Sequence, residues 1–371
     1  MKYFLLVGEP SGDLHAASLV EALRARCATA QFYGLGGDKM QAAGVTLFQH
    51  YRKMAYMGFL AVLRHLPDVK RNFRIAEQAL LQTQPDVLIL IDYPSFNLRM
   101  AAFAKKHLPQ TKIVYYIPPK VWAWKTHRIH RIAQLCDEVL GIFPFEPDFY
   151  ARYGYTCTYV GNPTNNEITA AQTHIKTADE QHIVLLPGSR ISEIKHCLPT
   201  MLAAARNIKN QQARDLSFVI AAAPSVLDDC YRPYLQEGER ITHDTYRALS
   251  TAQAAIVNSG TATLETALIG CPQVAVYHVT ASRWLGWIKP LLFKIPYFTL
   301  PNIIANKQVI YEAVGAQFTQ SNIERELTRL LDDKHYRQQM MDNYHEIQTL
   351  LGKQDAPATA AEHIYRLTQT A

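Results

Sequence analysis

Four short segments of the 371-residue chain combine small residues, hydroxyls and charges that can hold an anion or move a proton. The first, Gly8-Glu9-Pro10-Ser11-Gly12-Asp13, joins an apolar run to a helical pattern. Gly8 and Gly12 let backbone N–H groups approach an anion, Ser11 adds a hydroxyl, and a helix N-terminus favours negative charge. A tight turn with Asp13 as helix cap is an equal reading of the same residues. Leu186-Pro187-Gly188-Ser189-Arg190 repeats this plan, with Glu193 in the first turn of the following helix. Asn258-Ser259-Gly260-Thr261-Ala262-Thr263-Leu264-Glu265 repeats it again. Two such turns suit a diphosphate, and Arg190 offers its oxygens a fork of donors. Glu265 lies one helical turn beyond Thr261, where a carboxylate can accept both hydroxyls of a ribose. The fourth segment is Ile91-Asp92-Tyr93-Pro94-Ser95-Phe96-Asn97. Asp92 ends an apolar run, and an acid at a strand's carboxyl end suits a general base, because partial burial raises its pKa towards working pH. A cap or hinge role for Asp92 or Asn97 stays open.

These residues need a scaffold that brings strand ends together. Strands are expected at Lys2–Val7, Gln31–Gly34, Asp86–Ile91, Lys112–Ile117, Glu138–Phe143 and Thr158–Val160. A second set follows at His182–Leu186, Leu216–Ala221, Ala254–Val257 and Gln273–Tyr277. Helical stretches such as Asp13–Arg26 and Phe96–His107 alternate with them. That alternation predicts an α/β chain of two Rossmann-like, doubly wound domains facing a cleft, with ligands beyond the carboxyl ends of the strands. The expected domains are 1–165, 166–350 and a C-terminal helix, 351–371, packing on the first domain. Neither Gly8–Asp13 nor Gly34-Leu35-Gly36-Gly37 fits the G-x-G-x-x-G fingerprint, which disfavours a nicotinamide dehydrogenase.

Composition narrows the class. Hydrophobic residues make up 48% and charged residues 19%, which excludes a disordered, collagen-like or disulfide-stapled chain. The net charge of +6, from 38 basic and 32 acidic residues, is unevenly spread. Residues 1–166 hold 19 Lys/Arg and 12 Asp/Glu, a net of +7, and the remainder sums to −1. Residues 51–75 alone carry six basic residues and one acid. There Phe59, Val62, Leu63, Leu66, Val69 and Phe73 form an apolar stripe with Arg64, Arg71 and Arg74 beside it. This is the pattern of an interfacial membrane helix, and equally that of an amphipathic helix facing a core. A second apolar-basic stretch, Arg283–Lys294, allows the same two readings or a subunit interface.

The segment Tyr115–Arg131, YYIPPKVWAWKTHRIHR, joins Trp122 and Trp124 to Lys120, Lys125, Arg128 and Arg131. Such a mixture can stack a base, stack a sugar or pack a domain wall. His127 and His130 have no third ligand near them in sequence, and the six cysteines are scattered, so no metal site and no disulfide framework is expected. No apolar run is long enough to span a bilayer. The expected location is cytoplasmic, with no nucleic-acid partner.

Taken together, GEPSGD (8–13), AYMGF (55–59), IDYPSFN (91–97), VWAW (121–124), FPFEPDFY (143–150), LPGSR (186–190), SGTATLE (259–265) and LPNIIA (300–305) resemble the lipid-A-disaccharide synthases. That family comprises inverting GT-B glycosyltransferases of lipid A biosynthesis. The resemblance implies a UDP-2,3-diacylglucosamine donor and a 2,3-diacylglucosamine 1-phosphate acceptor. Their products are a β-1,6-linked disaccharide 1-phosphate and UDP, made without metal or cofactor. It also implies an enzyme peripheral on the cytoplasmic face of the bacterial inner membrane, in contact with anionic lipid; a homodimer is left open. On this reading Asp92 is the base and Asp13 the reserve. Gly188, Ser189, Arg190, Glu193, Ser259, Gly260, Thr261 and Glu265 hold UDP. Gly8, Ser11, Gly12, Asn97 and Trp122 form the acceptor loop, and Phe59, Val62, Leu63, Leu66, Arg64 and Arg71 meet the membrane. The chain departs from the family pattern at Ser95, where an acid is common, and at Asn162, where V-G-H-P is usual. It also departs at Ile117–Lys120, where serines are common, and at Asn306–Val314. A UDP-sugar 2-epimerase and a non-catalytic UDP-binding peripheral membrane protein are the alternatives.

Overall fold

Val87–Ile91 reads VLILI, five apolar residues without alternation. A strand of this kind must be covered on both faces, which a parallel sheet with flanking helices provides. All five residues are buried. The computed structural model describes residues 1–53, 66–172, 182–211, 215–278 and 296–369. It forms two compact units, Met1–Pro163 with Lys353–Ala371, and Thr164–Gly352.

The first unit holds strands β1 (Lys2–Leu6), β2 (Gln31–Gly36), β3 (Thr46–His50), β4 (Val87–Ile91), β5 (Lys112–Tyr116), β6 (Glu138–Gly141) and β7 (Thr158–Tyr159). They form one sheet in the order β3-β2-β1-β4-β5-β6-β7, with every pair parallel. Its core gathers Phe4, Leu6, Leu35, Leu88, Leu90, Phe96, Met100 and Tyr115. The final helix, Ala356–Gln369, belongs to this unit and packs on the helix Pro10–Arg26.

The second unit holds β8 (His182–Leu186), β9 (Ser217–Ala221), β10 (Arg240–Thr242), β11 (Ala254–Asn258), β12 (Gln273–Tyr277) and β13 (Tyr311–Val314). Their order is β10-β9-β8-β11-β12-β13, again parallel throughout. In each sheet the strand order reverses direction at one point, between β1 and β4 and between β8 and β11. Loops leaving the carboxyl ends on either side of such a point splay apart and leave room for a ligand.

Three strands escape sequence reading: β3, β10 and β13. All are edge strands, covered by one neighbour only. Their sequences TLFQH, RIT and YEAV therefore carry polar residues and break the apolar-run signal. Along the apolar stripe, the described helix is Leu66–Thr83. Phe73, at the end of the apolar stripe, packs against the first core and stacks on Phe96 at 4.7 Å, so this end of the stripe faces inward. Arg71 is exposed. Phe59, Val62, Leu63 and Arg64, like the second stretch Arg283–Lys294, lie outside the described residues.

Candidate active site

Each switch point collects two of the four chemical segments. In the first unit Gly8–Asp13 leaves β1, and Asp92–Asn97 leaves β4 beside it. The helix after β1 begins at Pro10, whose fixed φ suits a first turn. Asp13 is buried and accepts N–H bonds from Gly37 at 2.7 Å, Lys39 at 2.9 Å and Met40 at 3.2 Å. Its carboxylate thus caps the neighbouring helix Asp38–Ala42, not its own. With three donors on its oxygens it acts as a brace. Gly8 is required by packing, since a Cβ there would lie 2.4 Å from the Tyr93 ring. Ser11 stays exposed and Gly12 is buried.

Asp92 and Tyr93 both adopt left-handed backbone, φ 44° and 43°. Ile117, at the end of β5, does so too at φ 59°, and its carbonyl accepts the Asp92 N–H at 3.1 Å. Non-glycine residues in this region cost about 1–3 kcal/mol each and persist only where surroundings enforce them. The enforcing groups are visible. Asn97, fully buried, donates Nδ2 to the carbonyls of Leu6 (3.4 Å), Ile91 (3.1 Å) and Asp92 (2.8 Å). The Tyr115 hydroxyl donates to the same Asp92 carbonyl at 2.7 Å. The Asp92 side chain is half-buried, and burial pushes its carboxyl above the ordinary carboxylate range. Lys120, the Tyr93 N–H and His15 pull in the opposite direction.

Sequence reading missed Glu146. It is fully buried and accepts N–H bonds from Ile142 at 2.8 Å, Phe143 at 2.9 Å and the Trp122 indole at 3.2 Å. Burial pushes its carboxyl up to about 7, against those three donors and Lys120. The available signal was an acid inside the aromatic run FPFEPDFY. Trp122 is only 6% exposed, wedged edge-on against Phe143 and Phe145, whereas Trp124 is 41% exposed. Of the two, Trp124 offers a face to solvent.

In the second unit Gly188–Arg190 follows β8 and Ser259–Thr261 follows β11. Gly188 has φ +124°, and a Cβ there would sit 2.5 Å from the Glu193 Oε2. Glu193 accepts the Ser189 N–H at 3.0 Å and a guanidinium bond from Arg190 at 3.1 Å. It therefore positions both residues. Gly260 has extended backbone, and no atom lies within 4 Å of a Cβ built on it. Thr261 opens the helix Thr261–Ile269, whose Glu265 is half-buried; burial first, and then the Glu265 charge, push the Tyr246 hydroxyl up. Glu312, also missed, accepts from the Phe298 and Thr299 N–H groups, the Thr299 hydroxyl and Asn302 Nδ2. It ties the LPNIIA segment to β13. Among the described residues no cluster of three or more His, Cys, Asp or Glu is placed to hold a metal, and no helix is long and apolar enough to cross a membrane.

Two doubly wound units, each with small-residue loops at its switch point, define a two-domain α/β fold of GT-B type. The glycosyltransferase of kitacinnamycin has the same fold, with 12% identity, 98% of each chain covered and a TM-score of 0.63. A Methanocaldococcus jannaschii UDP-GlcNAc 2-epimerase, solved with UDP-GlcNAc and UDP, matches with 10% identity, 100% of each chain and a TM-score of 0.63. Both likenesses concern the fold alone. The model of the lipid-A-disaccharide synthetase family matches residues 3–364. A lipid-A-disaccharide synthase of Acidobacterium capsulatum is 35% identical, covering 96% of this chain and 93% of its own. The chain belongs to the lipid-A-disaccharide synthase family. It is an enzyme, a glycosyltransferase of lipid A biosynthesis, which sets aside the epimerase and the non-catalytic readings.

Proposed function

We propose that the chain transfers the diacylglucosaminyl group of a UDP-2,3-diacylglucosamine donor to the 6-hydroxyl of 2,3-diacylglucosamine 1-phosphate, with inversion. The observation carrying this is Asp92: half-buried, raised by that burial, and fixed by Asn97 and Tyr115 at a strand end on the switch point. In the reaction the acceptor O6 forms a bond to the donor anomeric carbon as the bond from that carbon to the diphosphate oxygen breaks. The O6 proton passes to Asp92, and UDP leaves with the bonding pair. Asp13 remains the reserve base, disfavoured by its three N–H partners. Ser189, Arg190 and the backbone of Gly188 and Gly260–Thr261 stabilise the departing diphosphate, Glu193 orients Arg190, and Glu265 takes the ribose. Fixed donors of this kind typically contribute about 100- to 1,000-fold each in rate. Gly8, Ser11 and Gly12 border the acceptor from the end of the neighbouring strand β1.

The enzyme works at the cytoplasmic face of the inner membrane, held by the basic surplus of its first half and the stripe Phe59–Leu66. Turnover of synthetic diacyl donor and acceptor, scored by disaccharide mass, tests the reaction. Full turnover by Asp92→Ala would overturn the base assignment. Vesicle flotation with anionic lipid tests the surface: the wild type should float and Leu63→Glu/Leu66→Glu should not.

A further inference from the structure

The geometry points to Arg128, assisted by Lys120, as the group that reads the phosphate of the acceptor; this rests on the proposed reaction and on Asp92 as its base. Arg128 opens the helix Arg128–Leu135, and its Nη2 donates to the hydroxyl of Ser95 at 3.3 Å. Ser95 lies three residues after Asp92, exposed in the first turn of the helix Pro94–His107. A guanidinium has five N–H donors, and a neutral hydroxyl takes up one without returning charge. Among the described residues no carboxylate pairs with Arg128, whereas Arg190 and Arg206 are matched by Glu193 and Glu239. Lys120 is exposed and close enough to act on Asp92 and on Glu146. From Lys120 to Arg131 the chain carries four cations and no acid.

A cation beside a general base weakens that base by favouring its ionised form. Positive charge next to Asp92 therefore makes chemical sense when an anion is bound there. The diphosphate is assigned to loops of the second unit, so the anion left to match is the acceptor's phosphomonoester. A planar guanidinium grips such a group bidentately.

The test compares two acceptors, 2,3-diacylglucosamine 1-phosphate and its 1-hydroxyl counterpart, at saturating donor. The wild type should prefer the phosphorylated acceptor in kcat/KM. Arg128→Gln should reduce that preference by about 10- to 100-fold, the worth of a hydrogen bond to a charged group. Arg128→Lys keeps the positive charge but not the planar fork, and should retain part of the preference. A preference held at the wild-type value in Arg128→Gln, whether or not absolute rates fall, overturns the inference. So does a wild type without preference. A wild type making no disaccharide from either acceptor overturns the proposed reaction as well.

Discussion

The indole Nε1 of Trp122 donates to Oε1 of Glu146 across 3.2 Å, beneath the rings of Phe143 and Phe145. A carboxyl so deeply buried is raised to about 7, from an ordinary 4.5. The folded protein therefore holds this proton more tightly than the unfolded chain does. The resulting stability is fully present below pH 4.5 and is lost as pH rises through about 7. Urea unfolding across that window should show a declining free energy, and Glu146→Gln should flatten the decline. The Trp122 indole N–H resonance should shift with a midpoint near 7 in the wild type only.

In the proposed mechanism Asp92 accepts the proton only when ionised, so rate should fall on the acid side through a pKa above the ordinary carboxylate range. Lys120 opposes that elevation. Removing its charge with Lys120→Met, at saturating acceptor, should move the acid limb of kcat to higher pH. Asp92→Asn should lower kcat by about 100- to 10,000-fold with UDP affinity unchanged.

Asn97 holds three carbonyls with one amide nitrogen. Asn97→Ala should cost about 1–3 kcal/mol in urea unfolding. Asn97→Asp should cost more, since it turns a carboxylate towards those carbonyls. Both should lower kcat at temperatures where the variants remain folded, because the left-handed turn at Asp92–Tyr93 loses its clamp.

Gly188→Ala places a Cβ 2.5 Å from Glu193 and 2.8 Å from the Asn258 side-chain nitrogen, at a backbone angle that disfavours any side chain. Displacing Glu193 releases Ser189 and Arg190 together. Calorimetric UDP affinity should fall by about tenfold or more, in line with about 1–3 kcal/mol of local strain.

The central strands were legible because burial on both faces makes them unbroken apolar runs, as in Val87–Ile91 and His182–Leu186. The edge strands β3, β10 and β13 were not, because one open side admits polar residues. Small-residue turns could be seen from spacing alone, and the strand order puts them in pairs at the two reversals. What spacing could not show was which partner each polar side chain takes. Asp13 serves a helix 25 residues further on, starting at Asp38, and Glu146 meets a tryptophan 24 positions earlier. Arg128 reached Ser95 through a tertiary contact that the sequence of its own helix does not encode.

The helix Ala356–Gln369 completes a unit whose other elements all precede the second unit in the chain. Its partner Pro10–Arg26 leaves the ribosome some 330 residues earlier, a delay of roughly 20–70 s at ordinary translation speed. Throughout that interval the early unit lacks the cover that Ala360, Ala361 and Ile364 supply, while the contiguous later unit can finish folding alone. The nascent protein thus matures in inverted order, the first unit closing only after the second has been made. A stop just before residue 356 would yield a complete second unit attached to an unfinished first one, a natural substrate for quality-control proteases.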